Sequence, residues 1–218
     1  MAQTTPITRG RFISIEGGEG AGKSTLIKGL AGALETRGVD VVLTREPGGT
    51  PGAEALRDLL VTGETDRWSA KTEALLMYAA RLDHVERLIE PALSRGSWVI
   101  SDRFADSTLA YQGAAGGLDA DVIKRLHALV LDDFAPDLTL VVDLDPDVGI
   151  ARTQARGEDV TRFEKQAGSF HARLRQAFLD IADAEPHRCI VIDGAQPAET
   201  VLAQAIQAVS DHLEAATS

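Results

Sequence analysis

Residues Gly17 to Ser24 read GGEGAGKS and stand between an apolar run, Phe12-Ile13-Ser14-Ile15, and a stretch with helical periodicity. They fit G-x-x-x-x-G-K-[ST], with Gly17, Gly22, Lys23 and Ser24 at the fixed places. No other feature restricts the fold as much, because the pattern works only where a strand enters a tight turn that opens into a helix. The glycines let successive N–H groups turn inward around phosphate oxygens with no Cβ in the way. Lys23 supplies a mobile point charge for the β- and γ-phosphates, and the Ser24 hydroxyl a ligand for Mg²⁺. The start of the helix adds its positive end to the same anion site. A plain glycine-rich turn is the bland alternative, and the strand before and helix after speak against it. The pattern predicts a bound nucleoside triphosphate, held by Gly17, Gly18, Glu19, Gly20, Ala21, Gly22, Lys23, Ser24 and Thr25.

Five short β-branched runs punctuate the chain: Arg11–Glu16, Val39–Thr44, Ser97–Asp102, Leu138–Leu144 and Cys189–Asp193. Each is apolar almost throughout, the pattern of strands buried on both faces. Helical periodicity fills the intervals over Ser24–Thr36, Pro51–Leu60, Thr72–Arg95, Ala120–Asp132, Pro146–Arg156, Gly168–Ala184 and Glu199–Ala215. Two of these stop at Arg37-Gly38 and Arg95-Gly96, where glycine can close a helix. Strands alternating with helices predict an α/β fold with a doubly wound parallel sheet. Nothing in the 218 residues marks a linker or a repeat, so one domain is expected over 1–218, with loose tails at 1–10 and 214–218. In such sheets ligands gather beyond the carboxyl ends of the strands. Those ends carry Glu16, then Thr44-Arg45-Glu46-Pro47-Gly48-Gly49-Thr50, Asp102-Arg103 and Asp143-Leu144-Asp145.

The net charge of −11 argues against a nucleic-acid or anionic-membrane partner, both of which demand basic faces. The single cysteine, Cys189, lies in an apolar run and reads as a buried strand residue, so neither a disulfide framework nor a cysteine-based zinc site is expected. The first eleven residues are polar, and no stretch approaches transmembrane length. A soluble, cytoplasmic protein is expected.

Among triphosphate-binding classes, a GTPase would need an Asn-Lys-x-Asp guanine reader, and the chain has no asparagine. A motor or transport ATPase would carry Asp-Glu at a strand end, and none is found. A small-molecule kinase needs a second substrate site and a basic cover that keeps water from the phosphoryl group. Asp102-Arg103, Arg57 and Arg81 offer the first. The segment Arg152-Thr-Gln-Ala-Arg156-Gly-Glu-Asp-Val-Thr-Arg162, three arginines around a turn, offers the second as a lid over 150–163. Solvated surface charge is the alternative for Arg162.

These residues carry a resemblance to bacterial thymidylate kinases along nearly the whole chain. It rests on Phe12-Ile-Ser-Ile-Glu-Gly-Gly-Glu-Gly-Ala-Gly-Lys-Ser24, Thr44-Arg-Glu-Pro-Gly-Gly-Thr50, Ala79-Ala80-Arg81, and Asp102-Arg-Phe-Ala-Asp-Ser-Thr-Leu-Ala-Tyr-Gln112. The resemblance implies transfer of the γ-phosphoryl of ATP to dTMP with Mg²⁺, giving dTDP and ADP, by a homodimer with a five-stranded core. It implies that Glu16 lies near the acceptor sugar and the metal, that Asp102 helps to place Mg²⁺, and that Arg103 and Arg57 hold the acceptor phosphate. Arg81 would bond the pyrimidine carbonyl, with Thr108 and Gln112 as further base contacts and Tyr111 crowding the 2′ position. Glu46 would join the substrate site, although it could equally stabilise its own glycine turn. Lys23, Arg103, Glu16, Arg152 and Arg156 would be the residues at the chemistry. The acceptor is already a phosphate anion, so alignment and charge neutralisation are expected to suffice without a base.

Two positions depart from the family pattern. Gln154 stands where relatives often have arginine, leaving Arg152, Arg156 and Arg162 as lid candidates. Met77 occupies the place of the usual stacking phenylalanine, so looser packing on thymine is expected, with ordinary core packing as the alternative. A kinase for another nucleotide or a nucleoside, the latter with Glu16 as base, and a regulatory ATPase are the competing readings.

Overall fold

The computed structural model describes residues 8–156, 163, 166 and 168–214. Five parallel strands, β1 (Phe12–Glu16), β2 (Val41–Arg45), β3 (Trp98–Asp102), β4 (Leu138–Asp143) and β5 (Cys189–Asp193), form one sheet in the order β2-β3-β1-β4-β5. The register pairs Ile13 with Ile100 on one side and with Leu138 on the other, which places β1 at the centre. The chain leaves β1 through α1 (Lys23–Thr36) towards β2 and later crosses back past β1 to reach β4. A crevice therefore opens beyond the carboxyl ends of β1, β3 and β2, as expected for a parallel sheet.

Strand side chains alternate between two faces. Ile13, Ile15, Ile100, Leu140, Val142 and Ile192 pack on α1 and on α9 (Ala198–Val209). Phe12 and Val99 face the opposite layer, with α3 (Ala70–His84), α4 (Glu90–Ser94) and α6 (Ala120–Leu131). On that same side, Val141 and Cys189 meet α8 (Gly168–Ala184). Ile13 and Ile15 are fully buried, each worth about 1.5–3 kcal/mol of transfer free energy. The expectation of strands buried on both faces fails at the sheet edges. Leu43 in β2 and Val191 in β5 are 46% and 44% exposed, because an edge strand lacks a neighbour and part of its cover.

Several boundaries also differ. The periodicity over Thr72–Arg95 is not one regular helix: α3 starts at Ala70, capped by Ser69 accepting from Thr72 N–H. A wide π turn at Val85–Ile89 then separates it from α4. Pro91 lacks an N–H and its ring crowds the preceding turn, which the wider turn relieves. The helix from Ala120 stops at Leu131, since Asp132 takes a positive φ of 55°. The last helix gives way at Ser210 to a π turn through Glu214. A helical segment absent from the periodicity reading, α5 (Ala105–Thr108) continued by a π turn over Leu109–Ala115, follows β3. Its apolar residues pack in two clusters around a polar stripe, so no single helical period announces it. The remaining elements are α2 (Pro51–Val61) and α7 (Pro146–Arg156).

Candidate active site

The loop after β1 turns on glycines held at positive φ. Gly17 (φ 133°) passes so close to β4 that a Cβ would lie 2.4 Å from the Val142 carbonyl oxygen, and at Gly20 (φ 67°) it would lie 2.0 Å from that of Gly149 in α7. No side chain caps the start of α1, so its N-terminus stays open to an anion. Lys23 is buried and curls over the loop, its Nζ donating to the carbonyls of Gly18 (2.7 Å) and Gly17 (3.2 Å). Burial, then the nearby Arg103 charge, lowers its pKa below the ordinary lysine value. A triphosphate arriving here would offer that ammonium better acceptors than two carbonyls.

The loop forms one wall of a cleft of about 450 Å³, which runs on past the ends of β3 and β2 to α3 and α5. Lys23, Arg45, Arg57, Arg81 and Arg103 all reach its lining, facing the carboxylates of Glu19, Glu46 and Asp102. Arg103 carries the strain of the site. Its φ is 75°, a conformation that costs a non-glycine residue about 1–3 kcal/mol, and its guanidinium bonds the Gly17 carbonyl (2.9 Å) and the Glu19 carboxylate (3.0 Å). The ring of Tyr111 lies 5.0 Å from the same guanidinium, and the Tyr111 hydroxyl donates to Glu19 at 2.6 Å. Burial alone would raise the Glu19 pKa. The charges of Arg103 and Lys23 and the Tyr111 hydrogen bond outweigh it and hold the carboxyl at about 2.

Of the two glutamates flanking the turn, Glu19 lines the cleft and Glu16 does not. Glu16 shares the strand face of Phe12 and Ser14, which points beneath α5 and away from the cleft, so the sugar- and metal-facing role is corrected. Its carboxylate is fully buried and accepts from Ser14 Oγ (3.1 Å), Phe104 N (2.7 Å) and Ser107 Oγ (2.6 Å), which pins the turn carrying Arg103. Burial first, and the charge of Asp106 second, push the Glu16 carboxyl up to about 7. The fourth strand end is corrected as well: Arg175 of α8 takes Asp143 in a double hydrogen bond (2.7 and 2.9 Å) and lies 3.8 Å from Asp145.

On the far wall Arg57 donates to the Pro47 carbonyl at 2.8 Å, beside a cis Glu46–Pro47 peptide. Arg45, which sequence reasoning did not single out although it lies within the Thr44–Thr50 strand end, reaches the cleft while bonded to Glu54 at 3.0 Å. Arg81 is buried, with Nε on Glu46 (2.7 Å) and Nη2 on the Phe104 carbonyl (3.1 Å) and Thr108 Oγ1 (3.0 Å). Its Nη1 is buried without a partner. Glu46 lines the cleft and bonds Arg81 through one carboxylate oxygen and His84 through the other. Thr108, Tyr111, Gln112 and Met77 all line the cleft; Gln112 is tied to Glu73 at 2.8 Å. In the phosphate loop, Glu19, Gly20, Ala21, Gly22, Ser24 and Thr25 join the same wall.

A single cleft with a triphosphate loop at one end and an arginine-lined wall at the other is the arrangement of a phosphoryl transferase with two substrates. The family model for thymidylate kinase matches residues 15–205. The chain belongs to the thymidylate kinase family. A thymidylate kinase of Caulobacter vibrioides is 56% identical over 205 residues, covering 94% of this chain and 96% of that protein. One of Magnetococcus marinus is 52% identical over 89% of this chain and 93% of its own length. The crystal structure of thymidylate kinase from Ehrlichia chaffeensis superposes with a TM-score of 0.74 at 37% identity, covering 92% of this chain and 99% of that one.

Of the expected lid over 150–163, residues 150–156 and 163 lie among the described residues. Arg152 is exposed on α7 and reaches the Gly194 carbonyl at 3.4 Å, outside the cleft lining. Arg156 ends α7, but its side chain, like Arg162, lies outside the described residues. Phe163 at the end of the expected lid does line the cleft and stacks edge-on against Tyr111 at 5.6 Å.

Proposed function

We propose that the chain catalyses the reaction of its family, phosphorylation of dTMP to dTDP by ATP, as one kinase domain over its whole length. The observation that carries this is the continuity of a single cleft from the loop at Gly20–Thr25 to Met77, Arg81 and Gln112. ATP places its phosphates on the loop, with Lys23 released from the Gly17 and Gly18 carbonyls to follow the γ-phosphoryl. The acceptor phosphate sits between Arg57 and Arg103, while its base reaches Arg81 Nη1, Thr108 and Gln112. Two phosphates repel, and the cations that line the cleft offset this where charge develops. No base is needed, since the attacking oxygen is already an anion.

Asp102 fits a cation: it lines the cleft together with Ser24, and its Oδ1 is buried with no hydrogen-bond partner. Hard oxygen donors of this type suit Mg²⁺. Bound there, Mg²⁺ would neutralise charge on the triphosphate. Arg152 and Arg156 serve as lid residues over the phosphates in this reading. The acidic chain works as a cytoplasmic homodimer; no described helix is long and apolar enough to cross a membrane.

ADP release should be measured with ATP and Mg²⁺ against dTMP, dUMP, dCMP, dAMP, UMP and thymidine. Strong turnover confined to dTMP and its near analogues is expected. Equal ADP release with no acceptor present would overturn the kinase reading.

A further inference from the structure

We infer that His84 is a positioning residue for acceptor-base selection, acting on Arg81 through Glu46. The inference rests on the acceptor reading above and concerns the buried layer behind the cleft. Arg81 is fixed from several sides: Nε is on Glu46 Oε2, Nη2 on Phe104 and Thr108, and the guanidinium lies 4.7 Å from the Tyr78 ring and 5.1 Å from that of Phe104. Only Nη1 has no partner, and Arg81 is part of the cleft wall. Nη1 is thus the donor group of Arg81 left for a ligand that reaches this part of the wall.

What fixes Glu46 lies further back. Its second oxygen, Oε1, meets His84 Nδ1 at 3.0 Å, and His84 Nε2 meets Thr44 Oγ1 at 2.6 Å. His84 is fully buried on the last turn of α3, three residues after Arg81 and on the same helix face. A carboxylate only accepts, so Nδ1 carries the proton and donates to Glu46. In the neutral ring Nε2 is then the acceptor for the Thr44 hydroxyl. With the ring neutral, the hydrogen bonds run one way, from Thr44 to His84 to Glu46, and Glu46 receives Arg81 from the other side. Gly49 closes this relay from above: at φ 89°, a Cβ there would lie 2.5 Å from both His84 Nε2 and Thr44 Oγ1. Thr44, Glu46 and Gly49 of the glycine-turn motif therefore converge on His84, which belongs to a different element.

The relay has a consequence for selectivity. Glu46 neutralises Arg81 within the wall, so Nη1 acts as a hydrogen-bond donor suited to a neutral carbonyl, while Arg57, which bonds only the neutral Pro47 carbonyl, is left to attract phosphate. Without His84 the Glu46 carboxylate loses one of its two anchors and can turn. The guanidinium then loses its fixed direction, and misplacement by about 1 Å costs about a hundredfold in a positioned interaction.

Binding of dTMP and of ATP should be measured separately by calorimetry, with KM and kcat for each. For His84→Leu we expect the dTMP Kd and KM to rise at least tenfold, with the ATP Kd and kcat within threefold of wild type. His84→Gln, which keeps a donor towards Glu46, should recover most of the loss. In an Arg81→Lys background, which keeps the charge on Glu46 but removes Nη1, His84→Leu should add less than twofold. Thr44→Val, a milder cut at the far end of the relay, should raise the dTMP Kd a few-fold in the wild-type background and not in Arg81→Lys, and it serves if His84→Leu does not fold. Equal weakening of dTMP and ATP, or the same His84 effect with and without Arg81, would overturn the relay. Failure of wild-type protein to bind dTMP would instead overturn the acceptor reading beneath it.

Discussion

Replacing Gly149 by alanine isolates one contact between the phosphate loop and the helix that leads to the lid. Gly149 lies in the first turn of α7, and a Cβ added there would sit 2.2 Å from the Glu19 carbonyl oxygen. Ordinary carbon–oxygen contact needs about 3.2 Å or more, so helix or loop must yield by about 1 Å. Helix propensity alone favours alanine by about 1 kcal/mol. Overpacking against a backbone atom costs about 1–3 kcal/mol, so global stability should change by no more than about 2 kcal/mol. The functional effect should be far larger, because the displaced atoms belong to Glu19 and Gly20, whose N–H groups and side chain shape the triphosphate site. We expect kcat/KM for ATP to fall about a hundredfold while the thermal midpoint moves by a few degrees. Gly29→Ala is the control: its Cβ would meet Leu202 Cδ2 at 2.9 Å, the end of a flexible side chain in α9 that can move aside. Steady-state kinetics with saturating dTMP, alongside thermal unfolding, measures both. A Gly149→Ala enzyme whose kcat/KM for ATP stays within threefold of wild type would refute the reasoning.

Glu19→Gln removes a carboxylate held at about 2 instead of the ordinary 4.5, a difference worth about 3 kcal/mol at most. Because the folded pKa is depressed, that stability is present above about pH 4.5 and is lost as pH falls towards 2. Urea unfolding of wild type and variant should show the full gap at pH 7 and less than half of it at pH 3; a gap independent of pH would contradict this. Cys189 is buried beneath α8, and burial first, then Asp106, pushes its thiol up to about 12. It should resist thiol reagents at pH 8 until urea unfolds the chain, and rapid stoichiometric labelling of the folded protein would contradict that.

The α/β class, the five strands and the phosphate loop follow from the amino-acid chain alone, because each is written in local signals. Strands buried in a sheet need unbroken apolar runs, and a loop that wraps phosphate needs glycine at Gly17 and Gly22, followed by lysine. Glu16 and Glu19 show where such reading stops. They are three residues apart, and either can be assigned to the cleft by proximity to the loop. Tertiary structure decided between them: strand alternation turns Glu16 under α5, whereas the glycine turn carries Glu19 around to Arg103 and Tyr111. Glu46 was legible as part of a motif, but its partners Arg81 and His84 are 35 and 38 residues away. Asp143 and Asp145 looked like ligand-end carboxylates until α8 brought Arg175 to them. Residue type and spacing set which chemistry is available. Which atoms face one another across the cleft is set by long-range packing of the sheet and its helices, and no local pattern in the chain encodes it.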